Sequence, residues 1–113
     1  MHELSIAMSI IEIAEENAKR EDARRITEIE LDIGTQSGVV LEALDFAMQA
    51  AVKGTMLENA DVKINTIPAR AQCTRCQHRF FVSDLFSACP KCGHPFCEVT
   101  QGRELRVKSL KVE

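Results

Sequence analysis

Residues 73–93 read CTRCQHRFFVSDLFSACPKCG and contain two Cys-x-x-Cys motifs, with twelve residues between Cys76 and Cys89. Two residues between paired cysteines let both thiolates turn toward one cation, while the intervening backbone amides point at the sulfurs. The four sulfurs of two such motifs complete a tetrahedral coordination of one metal ion. Gly93 supplies the positive φ that a tight turn needs, and Pro90 restricts the turn before it. The sequence therefore predicts a closed metal site with four ligands: Cys73, Cys76, Cys89 and Cys92.

Four soft thiolates with no open coordination position favour structural Zn(II). An iron-sulfur cluster is a competing interpretation, because the spacing alone does not separate it from zinc. Disulfides or thiol redox catalysis are the metal-free alternatives, although a thioredoxin-type motif needs a strand-to-helix context that neither pair has. His78 and His94 lie beside the motifs and could replace a cysteine as ligand, although surface histidines are more often solvated. Cys97 is left over, and we expect it to be a spare or small buried thiol.

Charge and cysteine content divide the 113-residue chain into two parts. Residues 1–68 hold 6 Lys and Arg against 13 Asp and Glu, whereas residues 69–113 hold 8 against 4 and contain all five cysteines. Apolar residues at 45% and charged residues at 27% exclude disordered and fibrous classes. No apolar run is long enough to cross a bilayer, and the N-terminus is acidic, so we expect a cytoplasmic protein without a signal peptide or membrane anchor.

Hydrophobic periodicity predicts two helices in the acidic part. From Leu4 to about Lys19, apolar residues recur at helical spacing. A glycine-containing turn follows the first strand, with Ser37 as a predicted N-cap. The second helix should then run from about Val40 and end near Gly54.

Alternating apolar and charged residues predict three strands, at 28–33, 61–67 and 104–112. Pro68 ends the second strand. In the third strand the alternation slips at Ser109, which indicates a β-bulge or a change of face. Because two strands alone make a poor sheet, we expect the third to return and complete it.

The elements together predict a two-part α+β protein: a mixed three-stranded sheet with two helices, plus an inserted four-cysteine zinc ribbon. We expect residues 1–69 with 102–113 to form one domain and residues 70–101 to form the ribbon domain. No internal repeat is apparent beyond the doubled Cys-x-x-Cys motif. Four basic residues near the ribbon permit nucleic-acid contact, although solubilising charges are the commoner explanation: Arg70, Arg75, Arg79 and Lys91.

The N-terminus carries a second candidate metal site. The Met1 amine, the His2 backbone nitrogen and the His2 imidazole can close fused chelate rings around one ion, and the Glu3 backbone nitrogen offers a fourth donor. Such an in-plane set of nitrogens suits square-planar nickel(II) or copper(II). A mobile terminal histidine without a ligand role is the alternative.

Four features occur together in this chain: the N-terminal Met-His-Glu-Leu-Ser, the Ile33-Gly34 turn, the Cys-x2-Cys-x12-Cys-x2-Cys module and the segment Gln101–Leu105. In this combination the whole chain resembles the HypA/HybF family of nickel metallochaperones. The resemblance implies a nickel-binding domain and a ribbon that holds structural zinc. It also implies a non-enzymatic carrier that delivers Ni(II) as cargo, with a HypB-type GTPase, to the large subunit of nickel-iron hydrogenase.

The resemblance also assigns roles to single residues. His2 becomes the principal nickel ligand, and Glu3 becomes a tuning or partner-contact residue. Some family members carry an acidic residue soon after the first strand; here Val40 breaks the match, and Glu42 is the possible substitute. With no membrane or nucleic-acid partner expected, the carrier is the favoured function. The alternatives are a zinc-ribbon adaptor that binds nucleic acid or the transcription machinery, and a thiol oxidoreductase.

Overall fold

The computed structural model describes residues 2–82 and 88–113. The elements run in the order α1 (His2–Arg20), β1 (Ile26–Gly34), α2 (Leu41–Ala51), β2 (Asp61–Ile67), β3 (Arg70–Cys73), β4 (Arg79–Phe81), β5 (Cys97–Gln101) and β6 (Leu105–Val112). They divide into two compact units. One comprises Met1–Asp32, Val39–Asn65 and Arg106–Glu113, and the other comprises Ile33–Gly38 and Thr66–Leu105. Neither described helix is long and apolar enough to cross a membrane.

The first unit is organised around β1, the central strand of a sheet with the order β2-β1-β6. α2 connects β1 to β2, the kind of crossover that joins parallel neighbours. β6 runs antiparallel to β1, because Arg25 pairs with Glu113 at one end and the Gly34 N–H donates to the Glu104 carbonyl at the other. The predicted α+β fold with a mixed three-stranded sheet is confirmed.

The buried residues follow the predicted periodicities. α1 buries one face, made of Ala7, Ile10, Ile11, Ala14 and Ala18. α2 contributes Leu44, Ala47 and Met48. In β1, Ile29 and Leu31 alternate as predicted, but Ile26 is buried as well. Because Ile26 and Ile29 are three residues apart, the alternation of β1 slips between them.

The other face of β1 carries three carboxylates that are paired with cations from both edge strands. Hydrogen bonds from Lys63 to Glu28, and from Asn65 to Glu30 and Asp32, lower the pKa of these carboxyls. The ion pairs are Lys63–Glu28 at 3.0 Å, Lys111–Glu28 at 3.4 Å, Lys108–Glu30 at 3.3 Å and Arg106–Asp32 at 3.0 Å. Lys108 and Lys111 reach this same face although they are three residues apart, which confirms the slip predicted at Ser109.

The start of α2 differs from the prediction. Val40, not Ser37, is the N-cap, and its side chain makes no capping hydrogen bond. Ser37 belongs to the preceding turn, where its N–H donates to the Gly34 carbonyl at 3.1 Å. The N–H of Val40 donates to the carboxylate of Glu3 at 3.4 Å, so a side chain of α1 supplies the acceptor.

The second unit contains a sheet with the order β4-β3-β5, in which both pairings are antiparallel. Its backbone is tightly packed where the 33–38 segment meets Gly102. The N–H of Gln36 donates to the Gly102 carbonyl at 2.7 Å. A Cβ atom on Gly34 would lie 2.0 Å from the Gly102 carbonyl oxygen, so only glycine fits at position 34 without backbone movement.

Candidate metal centre

Each Cys-x-x-Cys motif forms a tight turn closed by a backbone hydrogen bond. The Cys73 N–H donates to the His78 carbonyl, and the Cys89 N–H donates to the His94 carbonyl, both at 2.9 Å. The residue before each histidine has a left-handed backbone: φ is 65° at Gln77 and 77° at Gly93. The glycine at position 93 therefore meets the predicted need for a positive φ, whereas Gln77 meets the same need in the first turn without being glycine.

The two turns bring the four predicted ligands together. The sulfurs of Cys73, Cys76, Cys89 and Cys92 all lie within 4.8 Å of one another. The Cys73–Cys92 and Cys76–Cys89 sulfur pairs are each 3.6 Å apart, and all five cysteines are free thiols. Four sulfurs at about 2.3 Å from one ion in a tetrahedron would be about 3.8 Å apart. The cluster therefore fits a single tetrahedral ion.

Backbone amides point at two of the sulfurs and favour their thiolate forms. The amides of Arg75 and Cys76 donate to the Cys73 sulfur at 3.3 and 3.4 Å, and those of Lys91 and Cys92 donate to the Cys89 sulfur at 3.4 Å. Burial raises the pKa of Cys73, but hydrogen bonds from the two amides and from the Cys92 and Cys76 side chains together outweigh it and lower the pKa to about 6. The same balance lowers the pKa of Cys89. This arrangement stabilises negative charge on Cys73 and Cys89, whereas at Cys92 a backbone hydrogen bond from His94 is outweighed by burial and the neighbouring thiols, which raise the pKa of Cys92 to about 12.

The structure reveals a longer repeat that the sequence reasoning missed. Both turns follow the pattern Cys-x-x-Cys-x-His-x-Phe. The His78 ring stacks on Phe80 with centroids 5.9 Å apart, and the His94 ring meets Phe96 edge-on at 5.6 Å. The equal spacing of His and Phe after each motif was the signal that could have shown it. Neither histidine belongs to the four-residue cluster.

Cys97 lies next to the cluster and outside it. It pairs with Cys73 across β3 and β5, and its thiol donates to the His94 carbonyl at 3.7 Å. Burial, followed by the charge of Cys73, raises the pKa of Cys97. The thiol form is therefore favoured at this position.

The N-terminal candidate residues lie at the start of α1. His2 is the first residue of the helix and is exposed, whereas Glu3 is half-buried with its carboxylate at the α2 N-terminus. Glu42 is exposed in the first turn of α2. Met1, the predicted amine donor, lies outside the described residues.

Comparison with known proteins covers the full chain. The family profile described as "Hydrogenase/urease nickel incorporation, metallochaperone, hypA" matches residues 1–112. The hydrogenase maturation factor HypA of Parabacteroides distasonis is 44% identical over 113 residues, which is 100% of this chain and 98% of that protein. The HypA of Geobacter metallireducens is 43% identical over 100% of both chains.

Solved structures agree with the sequence comparison. The solution structure of the Ni metallochaperone HypA from Helicobacter pylori is 28% identical with a TM-score of 0.70, covering 97% of this chain and 96% of that chain. A second HypA solution structure is 29% identical with a TM-score of 0.76, covering 100% and 97%. These matches select the non-enzymatic metal carrier over the nucleic-acid adaptor and the thiol oxidoreductase. Together with the four-cysteine cluster, they establish that this chain belongs to the HypA family of metallochaperones for nickel incorporation into hydrogenase and urease.

Proposed function

We propose that the chain carries one Ni(II) ion as cargo at its N-terminus and holds one Zn(II) ion as a structural cofactor in the four-cysteine cluster. By analogy with the family, the nickel is handed on during maturation of nickel-iron hydrogenase, with a HypB-type GTPase and the hydrogenase large subunit as partners. The observation that carries the proposal is the full-length family match combined with a closed cysteine site and an exposed His2.

The donor set and geometry of the cluster support zinc. Four thiolates within 4.8 Å of one another leave no open position, which is the arrangement of structural zinc sites. An iron-sulfur cluster spreads its cysteine ligands over several iron atoms, whereas these sulfurs converge on one point. Zinc bound there would supply folding free energy and no catalysis. In this proposal the ligands are Cys73, Cys76, Cys89 and Cys92.

The position of His2 at the beginning of α1 supports a nickel site with backbone donors. The first four N–H groups of an α-helix have no carbonyl partner within the helix. The amides of His2 and Glu3 can therefore release their protons to solvent and bind a metal without breaking a helical hydrogen bond. With the His2 imidazole and the Met1 amine they make four nitrogen donors, a set that suits square-planar nickel(II).

Glu3 is proposed to bind nickel through its backbone nitrogen, whereas its side chain makes a structural contact. The carboxylate accepts the Val40 N–H at 3.4 Å and so connects the first turn of α1 to the start of α2. We infer that this contact orients the turn that carries His2. Glu42, in the adjoining first turn of α2, adds a negative charge to the same region of the first unit.

Calorimetric titration of nickel into matched forms of the protein tests the site. We expect the untagged chain to bind one Ni(II), and we expect His2→Ala to abolish this binding while zinc and fold remain intact. An N-terminal extension should have nearly the same effect because it converts the Met1 amine into an amide. An extension after Glu113 serves as the control and should bind nickel normally.

The same titration shows whether nickel binds elsewhere in the chain. If His2→Ala and the N-terminally extended protein bind nickel as tightly as the untagged chain, the proposed site is wrong, and His78, His94 or Cys97 becomes the better candidate. We also expect nickel to dissociate on mild acidification, because protons compete with the metal for every nitrogen donor. Native mass spectrometry should find one zinc ion per chain both before and after nickel is added.

A further inference from the structure

β6 is an edge strand whose outer side is available for pairing. Within the described residues, its only strand neighbour is β1. Arg25 and Glu113 exchange backbone hydrogen bonds, so the polar groups of Glu113 point toward β1. In an antiparallel pair the next residue along, Val112, then directs its N–H and C=O away from β1. Such outward groups are a template on which another strand can form.

A mainly apolar groove lies beside this edge on the helix side of the sheet. It has a volume of about 540 Å³ and lies between α1 and β6. Five of its nine lining residues are apolar, namely Ile13, Ala18, Val107, Leu110 and Val112, and the other four are Asn17, Glu21, Lys108 and Ser109. Because alternate side chains of a strand point to opposite faces, a strand added to β6 would direct every second side chain toward this groove.

The opposite face of the same edge is basic. Arg106, Lys108 and Lys111 project there, and each side chain is more than half exposed although it pairs with a carboxylate of β1. Lysine has three hydrogen-bond donors and arginine five, so each can donate to a second carboxylate. Acidic side chains on an added strand would meet these cations directly across the strand pair.

The charge also argues against a second copy of this chain at the edge. Pairing β6 with β6 of another copy would place Arg106, Lys108 and Lys111 beside the same cations of the partner strand. Like charges directly opposite each other destabilise a strand pair, and lysines on edge strands commonly prevent such self-association.

We propose that the β6 edge and its groove bind an extended segment of a partner protein in which acidic residues alternate with apolar residues. The segment adds a strand to the sheet, so that its acidic side chains meet Arg106, Lys108 and Lys111 while its apolar side chains enter the groove. This surface uses neither proposed metal site, and its test is independent of nickel binding.

A fluorescein-labelled peptide, Thr-Glu-Val-Glu-Val-Glu-Val-Thr, tests the surface on the full-length zinc-loaded chain. We expect saturable binding by fluorescence anisotropy that weakens as salt is raised, because the exposed charges become screened. The control peptide carries Lys in place of Glu and should not bind. In ¹⁵N-labelled protein, chemical-shift changes should be confined to β6 and to the part of α1 that lines the groove.

Matched pairs of substitutions distinguish binding at the β6 edge from nonspecific electrostatic attraction to the whole protein. Lys111→Gln should weaken peptide binding about three-fold, in the range of one cross-strand charge pair. Lys63→Gln is the matched control, because Lys63 also pairs with Glu28 but lies on the opposite edge strand. On α1, Ile13→Ser should weaken binding, whereas Met8→Ser, at an exposed position outside this groove, should not.

Three results of the peptide titrations would overturn the proposal. These are an absence of saturable binding, equal binding of the lysine peptide, and equal weakening by Lys63→Gln and Lys111→Gln. Sedimentation provides the remaining check: a dimer that the acidic peptide dissociates would make a second copy the occupant and would equally overturn the assignment to a partner segment.

Discussion

Substitution of Cys73 by serine should unfold the ribbon and leave the β2-β1-β6 sheet intact. Between residues 66 and 105, the buried side chains that the structure describes are small: Ala69, Ala71, Cys73 and Cys89. Burial of one methyl group contributes about 0.8 kcal/mol, so the two alanines together contribute about 2 kcal/mol. A structural zinc site contributes about 10–16 kcal/mol in zinc-finger peptides. The proposed metal therefore outweighs the apolar core of this segment several-fold.

The first unit has an independent core and should not depend on the metal. Its large buried side chains include Ile26, Ile29, Leu31, Leu44 and Met48. We therefore expect the amide resonances of β3, β4 and β5 to collapse to unfolded shifts in Cys73→Ser, while those of α1, β1 and α2 stay dispersed. Native mass spectrometry should show loss of the zinc ion in the same sample.

Cys97→Ser is the matched control, because it makes the same chemical change at a cysteine outside the cluster. This variant should keep its zinc and its ribbon resonances. Loss of zinc in Cys97→Ser would show that the ligands have been assigned incorrectly. A Cys73→Ser protein that lacks metal but resists proteolysis across residues 70–101 would refute the argument that zinc holds the ribbon together.

Two further predictions concern stability. Gly34→Ala should lower the free energy of unfolding by about 3 kcal/mol, because the new Cβ would overlap the backbone 2.0 Å away. Gly38→Ala, with φ of 83° but nothing within 4 Å of the new Cβ, should lower it by about 1 kcal/mol, and equal losses in urea titrations would contradict the steric explanation. The β1 carboxyls have folded-state pKa values below their ordinary 3.8 to 4.5, so the folded state binds fewer protons than the unfolded state in that range. Stability should therefore be fully present above about pH 5 and fall as the pH drops through the lowered values, when followed by helical circular dichroism. Arg106→Gln, which removes one ion pair, should show a smaller decline, and an unchanged decline would exclude that pair as a cause.

Local pattern predicted the two helices, the strands β1, β2 and β6, and the slip at Ser109, because these follow from the spacing of neighbouring residues. It did not predict the short strands β3, β4 and β5 of the second unit. Nor did it predict the N-cap of α2, because the acceptor for Val40 comes from Glu3, 37 positions away in sequence. Ser37 has the preferred residue type for a cap, but it lies in the turn closed by its N–H and the Gly34 carbonyl, three residues before the N-cap position at Val40.

The four-cysteine site could be predicted from the cysteine spacing alone, whereas the backbone and side chains around it could not. Both Gly93 and Gln77 have a left-handed φ. Glycine adopts this conformation readily, so it could be predicted at Gly93, whereas nothing about glutamine as a residue type predicts it at Gln77. The carboxylate face of β1 is a similar case. Carboxylates that alternate with apolar residues normally face water, yet Asp32 is only 5% exposed, and its carboxylate accepts hydrogen bonds from Asn65 of β2 and Arg106 of β6.

The proposed roles of the two metals, nickel as exchangeable cargo and zinc as a structural ion, follow from how the protein holds their donor atoms. Backbone amides donate to the sulfurs of Cys73 and Cys89, and both turns are closed by hydrogen bonds, so removal of an ion from this site requires the turns to open. The proposed nickel donors belong to the first turn of α1, where metal release leaves every helical hydrogen bond in place. His2 is also exposed, so a ligand from an acceptor protein can approach before the imidazole leaves. Stepwise exchange of this kind is open only to the N-terminal site, which is why the cargo is assigned there and the cysteine site is assigned to folding.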